Sequence, residues 1–376
     1  MSDGKIALIS VHSDPNYGSM LQAYALSAAL NRLGYINEYI NYSPNKERSH
    51  YIQSCINLVK KCIFILHGSR CHVTEYSYWK TKEFRKQRKL FSLFHDKYIR
   101  SSPQKYNKNT ISKSQDVYRK FFVGSDQTWS QLTTKAPYNL FFLDFVKDPY
   151  KKASYAPSIG SVSLSQSYLN LLSSKLRTFS FLSCREKQNA DTLTTYIGRK
   201  VFYVLDPTFL LSKGEWLKLS EFIKMPEDYI LCYILGTKKC ISDYAQRLGK
   251  EKKMPVYYIV TRPEYLNCNN ALRNVSVGQF LYLLNNAKYV ITDSFHGTIL
   301  SINMSTNFYS FAKREQGNGL NDNDRILDFL QVIHLENRFK ADNAISFEAD
   351  IDYDKVHGYL NNLKKQSFEY LENAAK

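Results

Sequence analysis

The segment from 289 to 302 changes from one hydrophobic pattern to another at a short polar interruption. Apolar, β-prone residues at 289–291 give way to three polar residues, and an apolar pattern of helical period follows. This order predicts a buried strand, a tight turn and a helix, with His296 and Gly297 at the junction. A strand that leads directly into a helix is typical of an open parallel α/β sheet, whose ligands bind at the carboxyl ends of the strands.

His296 is chemically useful at such a position. A helix N-terminus offers unpaired N–H groups to an anion, and a histidine beside it can donate to a phosphate or move a proton. The alternative is a buried turn histidine that caps the helix.

A second motif favours the functional interpretation, because an apolar run over 121–123 ends in Gly124, Ser125 and Asp126, as at another strand end. Asp126 is a candidate general base, a sugar-hydroxyl acceptor or a helix N-cap.

Strand and helix patterns alternate along most of the chain. An apolar run over 5–11 leads through a polar turn into a helical pattern over 21–29 and a strand over 38–42. In the second half, strands are predicted near 229–235, 256–261, 288–292 and 307–312, and helices near 240–251, 277–286, 297–303 and 323–331. This alternation predicts an α/β fold with two Rossmann-like, doubly wound domains facing a cleft, which is a GT-B-like arrangement.

The length of the chain, 376 residues, exceeds what one hydrophobic core usually organises. We therefore predict an N-terminal Rossmann-like domain over 1–205 and a C-terminal one over 206–345. The first domain carries a basic, aromatic insertion over 46–110. The remaining segment, 346–376, has a helical pattern and is predicted to pack back on the N-terminal domain.

The formal net charge of +17 predicts an anionic partner, such as a phosphorylated substrate, an anionic membrane surface or nucleic acid. Nucleic acid is disfavoured because no recognition motif accompanies the charge, and the lack of a GxGxxG loop argues against dinucleotide binding. The seven cysteines are scattered, without CxxC pairs or nearby histidines, which predicts reduced thiols and no metal site. Without a signal peptide or an apolar run of about 20 residues, a cytoplasmic protein is expected.

The insertion over 46–110 offers one location for contact with an anionic surface. Its segments 57–66 and 84–94 place lysines and arginines beside an apolar helical face. Such a pattern is typical of helices that lie on an anionic membrane, and it predicts peripheral attachment to the inner face of the plasma membrane. The alternative is a pair of solvated helices that pack over the first domain.

Arg185 follows another apolar stretch, at the point where a strand is predicted to end and Glu186 to begin a helix. A guanidinium at a strand end suits a carboxylate or a phosphate, because its planar donors pair with two oxygens at once. The alternative is an arginine paired with an acidic neighbour, which is common in folded proteins.

Six motifs follow one another along the chain: NYGSMLQAYALSAAL (16–30), FVGSDQTW (122–129), KASYAPSIG (152–160), LSCREK (182–187), VLDPTFLL (204–211) and ITDSFHGT (291–298). In this order they resemble the polysaccharide pyruvyl transferase family, over about residues 5–338. The resemblance implies a GT-B-like fold, phosphoenolpyruvate as the donor substrate and no cofactor. The implied reaction transfers a pyruvyl group to two hydroxyls of one sugar, forming a cyclic ketal and releasing phosphate, during synthesis of a bacterial capsule, exopolysaccharide or cell wall.

The resemblance also assigns roles to residues. The donor-binding arginine of the family matches Arg185 and its histidine matches His296, whereas Ser294 stands where characterised relatives often have a second arginine. Either Arg325 takes over the donor carboxylate, or donor use differs in this branch. The implied catalytic residues are His296 for proton transfer or phosphate binding, Arg185 for charge stabilisation and Asp126 for receiving the acceptor hydroxyl proton.

We assign donor binding to the second domain and acceptor binding to the first. The predicted donor-binding residues are Arg185, Ser294, His296, Gly297, Thr298 and Arg325. The predicted acceptor-binding residues are Asn16, Tyr17, Gly18, Ser125, Gln127 and Ser158. The acceptor is expected to be a sugar or a lipid-linked oligosaccharide. Two alternatives stay open: a GT-B glycosyltransferase that uses a nucleotide-sugar, and a non-catalytic family member in a polysaccharide assembly complex.

Overall fold

The computed structural model describes residues 4–12, 15–43, 81–131, 140–161, 164–313 and 324–376. Its strands are β1 Lys5–Ile9, β2 Asn37–Tyr42, β3 Ser101–Tyr106, β4 Tyr118–Val123, β5 Lys152–Ser154, β6 Ser183–Cys184, β7 Phe202–Tyr203, β8 Ile230–Tyr233, β9 Val256–Ile259, β10 Ala271–Leu272, β11 Tyr289–Thr292, β12 Asn307–Phe311 and β13 Phe339–Lys340. Its α-helices are α1 Tyr17–Arg32, α2 Lys82–Tyr98, α3 Gln166–Leu176, α4 Lys187–Ile197, α5 Lys213–Leu217, α6 Lys239–Lys252, α7 Val277–Asn286, α8 Phe295–Asn303, α9 Asp324–Val332 and α10 Tyr353–Ala375.

The first sheet has β1 at its centre, in the order β3-β2-β1-β4-β5, and all of its pairings are parallel. Ile6, Ala7 and Leu8 of β1 are fully buried, as expected for a strand that is covered on both faces. The side chain of Asn16 caps α1 by accepting a hydrogen bond from the backbone N–H of Ser19. Because the strands are parallel, the carboxyl ends of β1 and β4 lie at one edge of the sheet, beside the start of α1.

The second sheet has the order β10-β9-β8-β11-β12-β13 and is also parallel throughout. Val290 and Ile291 of β11 are fully buried between the covering helices. A capping box formed by Ser276 and Gln279 fixes the start of α7. The chain passes from the end of β11 into α8 with only Asp293 and Ser294 between them, so the first turn of α8 lies at the carboxyl edge of this sheet.

Contacts between the two halves hold these carboxyl edges together. The ring of Tyr17 stacks on Phe280, with 4.2 Å between the ring centroids. Helix α10, which follows the second sheet in sequence, reaches the first sheet, where the Tyr370 hydroxyl donates to the Ser154 carbonyl at 2.8 Å. The predicted α/β class with doubly wound parallel sheets is confirmed. The domain bounds 1–205, 206–345 and 346–376 remain a prediction.

The insertion over 46–110 is described from residue 81 onward, so the predicted helical segment 57–66 lies outside the described residues. The segment 84–94 belongs to α2, whose Phe84, Phe91 and Phe94 are buried in the protein core. The apolar face of this helix is therefore covered by protein, as in the solvated-helix alternative. Among the described helices, none is both long and apolar enough to cross a membrane.

Candidate functional site

The candidate site lies where the carboxyl edges of the two sheets meet. Asp126 follows β4 in a left-handed backbone conformation, with a φ of 70°. Its carboxylate accepts hydrogen bonds from the Ser19 hydroxyl at 2.7 Å and from the Gln127 backbone N–H at 2.9 Å. Burial raises the pKa of Asp126, but the nearby His296 and Arg185 outweigh burial and lower it overall. Asp126 is therefore an anion at neutral pH.

Arg185 is buried in an acidic pocket behind Asp126. Its Nη1 lies 2.9 Å from Oδ2 of Asp206, and its Nε lies 3.6 Å from Oε1 of Glu186. Burial lowers the pKa of Arg185, but Asp206, Glu186 and Asp126 raise it above its usual value. The guanidinium also lies over the ring of Phe295, 4.0 Å from the centroid. These partners explain how a charge with almost no exposed surface is retained in the protein.

Asp206 links Arg185 to the histidine. One oxygen, Oδ2, lies 2.9 Å from Nη1 of Arg185, 3.1 Å from the Ser125 hydroxyl and 3.5 Å from Nε2 of His296. The other oxygen accepts the backbone N–H of Thr208 at 3.0 Å. Although burial raises the pKa of Asp206, His296 and Arg185 hold it well below its usual range. Asp206 thus presents a fixed negative charge to the imidazole.

His296 occupies the first turn of α8 and packs against the first turn of α1. A Cβ added to Gly18 would lie 2.2 Å from both Cγ and Nδ1 of His296. The two helices can therefore approach at this point because Gly18 has no side chain. Ser294 caps α8 by accepting the Gly297 backbone N–H at 3.3 Å. The capping alternative considered for His296 thus belongs to Ser294.

A cleft of about 280 Å³ opens onto this group of residues. Its wall contains predicted acceptor residues, predicted donor residues and two further charged groups: Asn16, Gln127, Asp126, Ser294, His296, Arg325, Asp293 and Lys313. The guanidinium of Arg325 lies 5.6 Å from the ring centroid of Phe295. The cleft therefore combines a helix N-terminus, an imidazole and two cations, which can hold an anion, with the carboxylates of Asp126 and Asp293 in the same wall.

Other predicted site residues lie behind the wall of the cleft. Ser125 and Ser158 are fully buried, and their hydroxyls donate to Asp206 and to Glu186 respectively. Thr298 is also fully buried, with its hydroxyl 2.6 Å from that of Ser310. Arg185 is not a lining residue of the cleft either, although its guanidinium contacts the ring of Phe295, which is. These positions favour support of the site over direct contact with a substrate.

Gly297 and Tyr17 have packing roles of their own. A Cβ on Gly297 would lie 2.3 Å from Oγ1 of Thr292, so this glycine permits the tight passage from β11 into α8. The hydroxyl of Tyr17 donates to the carbonyl of Val275 at 2.8 Å, and its stacked ring joins the two halves of the protein. Among the described residues, no three His, Cys, Asp or Glu side chains are arranged to hold a metal ion.

Three charged residues of the site were missed by the sequence interpretation. Asp206 lies in the VLDPTFLL motif, at the predicted boundary between the two domains, but from sequence it was assigned no role in the site. Asp293 lies in the motif of His296, where it accepts the backbone N–H groups of Leu235 and Gly236 at 2.7 and 2.6 Å. Lys313 follows β12 and has no motif of its own, so sequence gave no signal for it.

The comparison with known families decides the classification of the chain. The profile described as polysaccharide pyruvyl transferase matches residues 16–313. The chain belongs to the polysaccharide pyruvyl transferase family. Membership places it in a transferase family of polysaccharide biosynthesis, as the ordered motifs predicted. No curated protein matches the chain as a relative.

Solved structures resemble this family member in fold. A Listeria monocytogenes protein assigned as a UDP-N-acetylglucosamine 2-epimerase has a TM-score of 0.51 at 10% identity, covering 97% of each chain. The Neisseria meningitidis UDP-GlcNAc 2-epimerase bound to UDP-GlcNAc has a TM-score of 0.48 at 10% identity, covering 98% of this chain and 99% of its own. A Rickettsia africae glycosyltransferase has a TM-score of 0.48 at 11% identity, covering 100% of both chains. At these identities the likeness concerns the fold alone, and the first comparison supports the GT-B-like arrangement.

Proposed function

We propose that the protein transfers a pyruvyl group from phosphoenolpyruvate to two hydroxyls of one sugar, forming a cyclic ketal and releasing phosphate. The observation that carries this proposal is the cleft in which His296 lies beside the N-terminus of α8, with Lys313 and Arg325 in the same wall. Phosphoenolpyruvate carries a phosphate and a carboxylate, so its binding requires at least two centres of positive charge. Family membership makes a pyruvyl donor the natural choice among small phosphorylated anions.

Arg325 and Lys313 are our candidates for binding the donor directly. Both line the cleft, whereas Arg185 does not. Arg325 then takes the place of the second donor arginine, since Ser294 occupies its usual position in the motif. Arg185 acts as a positioning residue. Its Nη1 donates to Asp206, which lies next to His296, and its guanidinium packs on the ring of Phe295.

The reaction needs one proton at the methylene carbon of the donor, and His296 is our candidate for supplying it. Protonation of this carbon leaves a cation at the adjacent carbon, which the first sugar hydroxyl attacks. Loss of phosphate and attack by the second hydroxyl then close the ketal. The two hydroxyls release two protons: the first passes to a carboxylate and from there leaves with the phosphate, and the second restores the histidine. Asp206, whose Oδ2 lies 3.5 Å from Nε2 of His296, holds the imidazole in position.

Asp126 is our candidate for receiving the first hydroxyl proton. Its lowered pKa makes it a weak base towards a free alcohol. A hydroxyl that has bonded to a carbocation is strongly acidic, however, so even a weak base can accept its proton. The same negative charge also stabilises the cation that precedes bond formation. A low pKa is therefore compatible with both roles.

Isothermal titration with phosphoenolpyruvate, at low ionic strength, tests the proposal. We expect saturable binding to the wild-type protein, weakened about 10- to 100-fold in Arg325→Ala and in Lys313→Ala, because each removes a charge-assisted contact. Lys365→Ala, which removes an exposed charge far along α10, is the control and should bind normally. Inorganic phosphate and pyruvate should bind more weakly than the intact donor.

Two results would count against the proposal. If folded wild-type protein does not bind the donor at millimolar concentration but binds a UDP- or GDP-sugar, a nucleotide-sugar transferase becomes the better assignment. If Arg325→Ala and Lys313→Ala both bind the donor like the wild type, the donor does not occupy this cleft.

A further inference from the structure

Helix α9 presents an arginine to the cleft and a carboxylate to a helix of the other half. Arg325 lines the cleft, and Asp328 follows three residues later, on the same face of α9. Oδ2 of Asp328 accepts the backbone N–H of Lys187 at 2.9 Å, and its Oδ1 accepts that of Gln188 at 3.3 Å. These N–H groups belong to the first turn of α4. Asp328 therefore joins the second half of the protein to the first, one helical turn away from Arg325.

The start of α4 is suited to a carboxylate from outside the helix. The first N–H groups of a helix have no partner within it, and they carry partial positive charge. Glu186 occupies the N-cap position of α4, but its carboxylate accepts hydrogen bonds from the Ser158 hydroxyl and, at 3.3 Å, from the Ile159 backbone N–H. Asp328 thus has the role that a side chain at the N-cap usually performs.

Hydrogen bonds, and not burial, favour the ionised form of Asp328. Burial raises the pKa of Asp328, and the nearby Glu186 raises it further, whereas the N–H groups of Lys187 and Gln188 lower it. If α9 moved away from α4, the carboxylate would lose the two groups that offset its partial burial. The contact therefore favours one arrangement of α9 against α4.

A second contact of α9 involves the ring of Phe295. The ring of Phe329 lies edge-on to it, with 6.4 Å between the centroids, and the guanidinium of Arg325 lies 5.6 Å from its centroid. Arg185, two residues before α4, packs on the same ring at 4.0 Å. The segment that leads into α4 and the face of α9 that carries Arg325 thus meet at one aromatic ring. A shift of α9 along α4 would change where Arg325 lies in the wall of the cleft.

We propose that Asp328 is a positioning residue, which docks α9 on the N-terminus of α4 and so holds Arg325 at the cleft. The inference rests on the proposed function for the identity of the anion that Arg325 binds. The docking contact itself does not depend on that identity. In this arrangement the second half supplies a charge for the donor, and the first half fixes its position.

Hydrogen exchange of backbone amides tests the docking contact without a ligand. In Asp328→Ala, the amides of Lys187 and Gln188 lose their acceptor and should exchange about tenfold faster. Asp328→Asn keeps one acceptor oxygen and should give an intermediate rate. Asp191→Ala removes an exposed carboxylate from α4 itself, so it is the matched control and should exchange at the wild-type rate. Wild-type exchange at both amides in folded Asp328→Ala would overturn the inference.

Calorimetry with phosphoenolpyruvate shows whether the contact acts through Arg325. We expect Asp328→Ala to weaken donor binding about five- to tenfold, and the double variant with Arg325→Ala to bind no more than about twofold weaker than Arg325→Ala alone. Loss of stability without a positioning role would instead make the two effects multiply.

The outcomes separate the inference from the proposed function. Multiplying losses in the double variant, or wild-type donor affinity in Asp328→Ala, would overturn the positioning role. If the folded wild-type protein binds no phosphoenolpyruvate while Asp328→Ala still speeds amide exchange in α4, the proposed function fails and the docking of α9 by Asp328 is supported.

Discussion

At the scale of single residues, Asp206 is the group on which the site depends most. One oxygen of its carboxylate faces a guanidinium, a hydroxyl and an imidazole, and none of these partners is exposed. Arg185 carries its positive charge in the protein interior largely because this carboxylate is ionised. Removing one partner of a buried pair leaves the other charge uncompensated, which is more costly than losing a surface ion pair.

We therefore predict that Asp206→Asn destabilises the protein by about 3 kcal/mol at pH 7. Its pKa is lowered in the folded state, so its contribution is complete above the usual value of 3.8 and is lost as pH falls below it towards the folded pKa. The difference between wild type and variant in thermal unfolding should accordingly shrink below about pH 4. Asp191→Asn, an exposed control on α4, should destabilise the protein much less at pH 7, because surface ion pairs contribute little. A pH-independent difference for Asp206→Asn would contradict the assigned charge.

At the scale of elements, the site depends on how closely α1 and α8 approach. Gly18→Ala adds a Cβ that would overlap the ring of His296. Gly18 does not have a positive φ, so alanine causes no backbone strain there. The steric overlap must therefore be relieved by movement of the imidazole of His296. We expect a folded variant with a lower melting temperature and about tenfold weaker binding of phosphoenolpyruvate, measured by calorimetry. Gly358→Ala in α10 meets no atom within 4 Å and should bind the donor normally and melt no lower. Unchanged donor binding in Gly18→Ala would exclude His296 from the donor site.

The elements themselves were largely predictable, because strongly patterned segments carry their own signals. Helix α7 was predicted over 277–286 and has those bounds, owing to a serine cap and a clear apolar period. The apolar stretch before Arg185 gives only the short strand β6, and Phe181 ahead of it pairs with Ala153 through an isolated parallel bridge. The partners of Arg185 were less predictable. Asp206 lies in a separate motif, and only the fold brings the two together.

At the scale of the whole molecule, the position of the two sheets determines what each motif can do. Sequence predicted two domains that face a cleft, and the walls of the cleft combine Asn16 and Gln127 of the first half with His296 and Arg325 of the second. Sequence patterns report which residues end a strand, but not which strand ends face each other. In α2, Phe84, Phe91 and Phe94 pack against the protein, whereas peripheral attachment to a membrane stays a prediction.

The formal charge of +17 should affect how quickly the donor arrives more than how tightly the cleft holds it. Salt shortens the Debye length from about 30 Å at 0.01 M to about 3 Å at 1 M, which screens long-range attraction but not contacts inside the cleft. We predict that stopped-flow association rates for phosphoenolpyruvate fall steeply with salt, while dissociation rates change little.

Reversing Lys250 and Lys252 to Glu lowers the formal charge by two units each, to +13, far from the cleft. This variant should slow association less than threefold, whereas Lys313→Ala should mainly speed dissociation. A salt-independent association rate would show that the charge serves a different partner.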